Sequence, residues 1–226
     1  MGSIGENVET VRARIDRALS RAGRRDEVTL VAVSKTYPAE LINEAIRSGV
    51  KDIGENRVGE MEEKYPNIIQ GAKLHLVGHL QRNKVKRALP LFSMIQSIDK
   101  VETALEIEKR AASPVDILIE INASGETTKS GVAPEMLFEL VDQLKPLGKI
   151  QIKGLMTIGP FTDDKRSISK CFELMRKRFE ELKREEPKLD ITYLSMGMSS
   201  DYEIAIEEGS NMVRIGTAIF GARSSA

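Results

Sequence analysis

The chain has no tryptophan, a single cysteine, and only 4% aromatic residues among its 226. With one thiol, Cys171, no intrachain disulfide can form, and a lone cysteine inside a helical pattern reads as a small apolar residue rather than a redox centre. Scarce aromatics remove the stacking platforms on which single-stranded nucleic acids are held. An excess of one charge is lacking too: 34 Lys and Arg balance 34 Asp and Glu, so no net field attracts nucleic acid or an acidic membrane. No apolar run approaches the roughly 20 residues needed to span a bilayer. The first residues, Met1 to Glu6, lack the basic start and apolar stretch of a secretory signal, and Glu6 stands where myristoylation wants Ser or Thr. These absences predict a soluble cytoplasmic protein with neither nucleic-acid nor membrane partners.

What is present is a rhythm. Residue-level repeats, linkers and low-complexity tracts are missing, but short β-branched runs alternate with longer charged stretches of helical period. Strands are predicted at residues 29–34, 52–54, 74–77, 94–98, 116–121, 152–156, 193–196 and 212–215. Helices are predicted to begin near Pro38, Val58, Gln81, Lys100, Ala133, Lys165 and Asp201, with a short last one over 217–222. An extra helix over 3–22 precedes the first strand, and its Ile4, Val8, Val11, Ile15 and Leu19 fall on one stripe. Eight strand–helix units imply a parallel sheet, either open and doubly wound or closed. The length favours closure, so the expected fold is α/β, a single (β/α)₈ TIM barrel with an extra N-terminal helix, as one domain over residues 1–226.

In such a barrel chemistry sits at the carboxyl ends of the strands, with phosphate favoured after strands seven and eight. The first strand ends in Ser34-Lys35-Thr36-Tyr37-Pro38. A lysine there enters the barrel mouth, where partial desolvation frees its lone pair for an aldehyde. Position alone favours a plainer alternative, a lysine reaching past the strand end to solvent. Residues 194–203 run from a strand through a glycine turn to a helix start, where Ser199 and Ser200 offer hydroxyls and Ser200 with Glu203 fits a capping box. Those serines could equally do no more than cap their helix. In residues 213–221, Gly216 and Thr217 open a short helix whose N–H groups suit a phosphate, and Arg214, flanked by Val213 and Ile215, is awkward as a surface ion pair.

These segments belong to a longer series: Val31-Ala32-Val33-Ser34-Lys35, Gly54-Glu55-Asn56, His75-Leu76-Val77-Gly78 with Leu80-Gln81 and Asn83-Lys84, Asn122 with Gly125-Glu126 and Lys129-Ser130-Gly131, Gly154-Leu155-Met156-Thr157, Ser195-Met196-Gly197-Met198-Ser199, and Arg214-Ile215-Gly216-Thr217. In that order and spacing the chain resembles the pyridoxal phosphate homeostasis proteins of the YggS/PROSC type, whose barrel is similar to the N-terminal barrel of alanine racemase. The resemblance implies that Lys35 carries pyridoxal 5′-phosphate (PLP) as a Schiff base. It implies that Ser199, Gly216 and Thr217, with Ser200 as a further donor, hold the phosphate. Arg214 matches the arginine that faces the pyridine nitrogen, and Asn56 and Met156 match pocket-wall positions. The chain departs from the family pattern at Gly59, where a glutamine is common, and at His79. His75 reads as a hydrogen-bonded structural histidine.

The resemblance also bears on turnover. An arginine can only donate to the ring nitrogen, which leaves that nitrogen unprotonated and the ring a weaker electron sink. A racemase needs a second acid/base, in alanine racemase a tyrosine from a second domain, and none of Tyr37, Tyr65, Tyr193 and Tyr202 has a matching context. The chain stops soon after the eighth unit. The expectation is a PLP carrier or regulator with little or no amino-acid turnover. Its partners would be PLP and PLP-dependent apo-enzymes, and it would act as a monomer. Two alternatives stand: an amino-acid racemase, and a barrel enzyme for phosphorylated metabolites in which Lys35 engages another aldehyde or ketone.

Overall fold

The computed structural model describes residues 2–222. Met1 and residues 223–226, part of the expected 1–226 domain and of the terminal readings above, lie outside the described residues. Among the described residues there are eight strands: β1 (Thr29–Val33), β2 (Asp52–Glu55), β3 (Lys73–Leu76), β4 (Met94–Ile98), β5 (Val115–Glu120), β6 (Ile150–Met156), β7 (Tyr193–Ser195) and β8 (Met212–Ile215). Helix α1 (Ile4–Arg21) precedes them. Between and after them come α2 (Ala39–Arg47), α3 (Val58–Lys64), α4 (Val85–Ala88), α5 (Val101–Arg110), α6 (Leu137–Leu144), α7 (Lys165–Glu185), α8 (Tyr202–Glu207) and α9 (Thr217–Phe220).

Each strand pairs in parallel with the next, and β8 pairs back onto β1, with Thr29 opposite Met212 and Ala32 opposite Ile215. The closed arrangement is therefore the one formed. The expected strand positions hold to within two residues at every end. Two helix starts differ in kind: the stretch after Gln81 opens as a 3₁₀ turn (Arg82–Lys84) before the single turn of α4, and α6 is preceded by a 3₁₀ turn (Pro134–Met136). Neither start has a side-chain cap, so the orphaned N–H groups favour the tighter i→i+3 pattern.

Helix α1 has the expected stripe, with Ile4, Val8, Val11, Ile15, Ala18 and Leu19 buried, and its start is fixed by a Ser3–Glu6 capping box. Each of the Ile, Val and Leu side chains contributes roughly 1.5–3 kcal/mol on burial. The helix packs on α2, α8 and α9, over the seam between β8 and β1. Inside the barrel Val31, Met94, Leu118, Met156 and Met212 form their own apolar layer, with flexible methionines filling an irregular space. Gly154, with φ of 150°, lets β6 approach β7: a Cβ there would lie 1.8 Å from the Tyr193 carbonyl oxygen. Among the described residues no helix is long and apolar enough to cross a membrane, and no cluster of His, Cys, Asp and Glu could hold a metal ion.

Candidate functional site

The carboxyl end of β1 runs into a short turn that carries Lys35. Lys35 is half-buried, two residues beyond Val33. Next to it Thr36 has φ of 70° and is the one non-glycine in the left-handed region among the described residues. For a β-branched side chain that conformation is an outlier; it costs on the order of 1–3 kcal/mol and persists only where its surroundings impose it. Here they do. The Thr36 N–H donates to Glu60 Oε1 at 2.5 Å. The Lys64 ammonium donates to the Ser34 carbonyl at 3.0 Å, to Glu55 Oε2 at 2.9 Å and to Glu60 Oε1 at 2.5 Å. Glu55 is fully buried at the end of β2; burial pushes its carboxyl upward against the pull of Lys64. Beyond the turn, the Tyr37 hydroxyl donates to the Gly221 carbonyl at 2.6 Å and its ring stacks on Phe220 with centroids 5.0 Å apart. The lysine turn is thereby docked on α9.

The turn between β8 and α9 abuts the same place. A Cβ on Gly216 would lie 3.3 Å from the Val33 carbonyl oxygen. The N–H groups of Gly216 and Ala218 both donate to Ser199 Oγ, at 3.3 and 3.4 Å. Two main-chain amides converging on one oxygen form a concavity suited to an anion. Thr217, at the head of α9, is exposed, and Ser199 is half-buried. Ser200 does not join them: it is exposed and lines an outer groove with Arg14, Arg21 and Lys165. The expected Ser200–Glu203 capping box is not formed. Asp201 takes the N-cap position of α8 and accepts the Met198 N–H at 2.6 Å, while the Glu203 carboxylate is drawn off to Arg14 and Arg21.

Arg214 is 5% exposed, so it forms no surface ion pair. Its Nη1 donates to Ser195 Oγ and its Nη2 to the Thr157 carbonyl, each at 2.7 Å. Burial pushes its pKa down to about 10, against the pull of Glu120 and Asp201, so the guanidinium stays charged near neutrality and only donates. A chain of buried hydrogen bonds continues from it. Ser195 Oγ donates to Gln96 Oε1 at 2.7 Å, Gln96 Nε2 approaches His75 Nδ1 at 2.9 Å, and His75 Nε2 lies 3.0 Å from Asp52 Oδ1. Because Nδ1 accepts from the amide, the His75 proton sits on Nε2 and points at the carboxylate. His75 is thus the structural histidine expected.

Asn56 is half-buried and lines two cavities at the mouth, of about 740 and 260 Å³, which share Gly78 and His79. Met156, at the end of β6, is fully buried in the apolar layer inside the barrel. Glu120, at the end of β5, lines the smaller cavity; burial first, then nearby Asp99, pushes its carboxyl up to about 7. Cys171 is buried and its thiol is pushed up to about 11, which keeps it inert. Sequence reading missed the carboxylate–lysine cluster beneath Lys35, the Gln96–Ser195 link, and Glu120. Two signals were there: Gln96 and Glu120 are polar residues in mainly apolar strands, two residues on from Met94 and Leu118 of the interior layer and so on the same inner face.

A closed parallel barrel with a lysine just past its first strand and an amide concavity after its eighth is a barrel of the alanine racemase type. The chain belongs to the family described as alanine racemase, N-terminal domain, whose model matches residues 7–224, and within it to the pyridoxal phosphate homeostasis proteins. The protein of that name from Aquifex aeolicus (strain VF5) is 42% identical, covering 96% of this chain and 97% of the relative. That from Escherichia coli (strain K12) is 40% identical, covering 99% and 98%. PipY of Synechococcus elongatus PCC7942, solved with PLP bound, is 32% identical with a TM-score of 0.86, covering 97% of this chain and all of PipY.

Proposed function

We propose that this chain binds PLP as a Schiff base through Lys35 and serves intracellular PLP homeostasis as a carrier or regulator, with little or no turnover of amino acids. The observation that carries the reading is the meeting, across the β8–β1 seam, of the Lys35 turn and the Gly216–Ala218 turn, with the Arg214 guanidinium buried nearby against β7 and the end of β6. The donor set fits the cofactor: neutral amides and hydroxyls for a phosphate dianion, an amine for an aldehyde, and a charged donor for a ring nitrogen. The PLP-bound relative supports it further. When bound, PLP supplies an aldehyde and an electron-withdrawing ring. Ser199, Gly216 and Thr217 would hold the phosphate, Arg214 would keep the ring nitrogen unprotonated, and Asn56 would border the open face.

Carriage rather than turnover is favoured by the tyrosines. Tyr37 is bonded to Gly221, Tyr202 is buried, Tyr193 packs under the interior layer and Tyr65 against the core. A missing acid/base costs about 10²–10⁴ in rate. We further propose that the protein works in the cytoplasm, as one barrel unit and a monomer, with apo-enzymes as recipients. Adding PLP should produce a visible absorbance band that Lys35→Ala abolishes. Prolonged incubation with L-alanine should yield no Lys35-dependent D-alanine by chiral analysis; its formation would overturn the carrier reading.

A further inference from the structure

One side-chain pair holds the backbone on both sides of Lys35. Lys64 Nζ donates to the carbonyl of Ser34, the residue before it, and Glu60 Oε1 accepts the N–H of Thr36, the residue after it. The two are joined at 2.5 Å, one turn apart on α3. We propose that Glu60 and Lys64 are positioning residues for Lys35, fixing the peptide units that flank it so that its amine meets an aldehyde in one orientation. The proposal rests on the reading of Lys35 as the covalent site.

Three features separate this arrangement from an ordinary ion pair. An ammonium has three protons, and those of Lys64 go to three acceptors, Ser34, Glu55 and Glu60, with the side chain only 12% exposed. Lys64 is thereby spent on holding and is a poor nucleophile itself. Second, two carboxylates and one lysine in a largely buried cluster are a weak source of stability, since apolar replacements commonly do as well; their placement suits orientation better than strength. Third, the backbone they hold is strained at Thr36, and backbone strain kept in place by its surroundings collects at functional sites. The reaction served is attack of the Lys35 nitrogen on the aldehyde carbon, forming C=N while the carbonyl oxygen departs as water.

The test compares the wild-type chain with Lys64→Met, Glu60→Ala and Glu60→Gln, each freed of cofactor and checked for folding by circular dichroism. PLP is added, samples are quenched with borohydride at timed intervals, and the fraction reduced onto Lys35 is read by peptide mass mapping. Binding of pyridoxine 5′-phosphate, which has ring and phosphate but no aldehyde, is measured in parallel. Lys64→Met and Glu60→Ala should slow adduct formation about 10–100-fold, the scale of a small misplacement of a reacting group, with pyridoxine phosphate binding unchanged. Glu60→Gln, which keeps an acceptor for the Thr36 N–H, should recover much of the rate. Should Lys64→Met fail to fold, the Glu60 variants decide. Unchanged rates, or a parallel loss of pyridoxine phosphate binding, would overturn the positioning role while leaving Lys35 as the covalent site. An adduct on Lys64, or none in the wild type, would overturn both.

Discussion

Arg214 carries a charge to a place almost without water, and every polar neighbour answers to it. From Arg214 through Ser195, Gln96 and His75 to Asp52 each donor points the same way, from a cation to an anion. Gln96→Leu removes the middle link and strands the His75 and Ser195 groups in the interior, at about 1–3 kcal/mol. Thermal unfolding should fall by roughly 2–4 °C for each kcal/mol in a chain of this size. Glu120 gives a pH signature. Its folded pKa of about 7 lies above the ordinary 4.5, so its contribution to stability is full below 4.5 and lost as pH rises through 7. The melting temperature of Glu120→Gln relative to wild type should therefore be higher at pH 8 than at pH 5. A difference independent of pH would contradict the burial of that carboxyl. At the anion concavity, Ser199→Ala with Thr217→Val should weaken PLP retention in dialysis, since bonds to a charged group contribute about 1.5–3 kcal/mol each. The places of Lys35, Arg214 and Gly216 were legible because strand ends and glycine turns announce themselves locally, while the roles proposed for them came from the resemblance. Gln96 meets His75 and Ser195 only through the stagger of a closed barrel, which no local pattern encodes.

Among elements, the strands were the most legible, because buried parallel strands spell themselves as β-branched runs. Their ends moved by a residue or two where ladder hydrogen bonds outlast or fall short of the apolar run. Helix starts were harder. At α8 a serine and a glutamate with capping-box spacing lost to Asp201, because α1 set two arginines beside Glu203. Gly154 marks the element most sensitive to change. Gly154→Ala would combine an unfavourable φ with a Cβ 1.8 Å from Tyr193, so the loss should exceed the roughly 1–3 kcal/mol of backbone strain alone. Soluble yield and far-ultraviolet circular dichroism should both fall; a native-like Gly154→Ala would contradict the close β6–β7 approach.

For the molecule as a whole, closure places two distant stretches of chain side by side, since the β8–β1 seam brings the Gly216 turn against the end of β1. With 34 charges of each sign, no long-range steering is available, and recognition rests on the mouth itself. A ligand gripped there should stabilise the whole barrel: at a hundredfold excess over its dissociation constant PLP adds about 2.7 kcal/mol, a rise of roughly 5–11 °C at 2–4 °C per kcal/mol. Lys35→Ala should keep only the part owed to the phosphate grip. The most direct measurement is the intact mass of the PLP-treated protein after borohydride reduction, followed by peptide mapping. One reduced phosphopyridoxyl group, confined to the peptide bearing Lys35 and missing from Lys35→Ala, is the predicted result. An unmodified protein, or a group carried on another lysine, would contradict it.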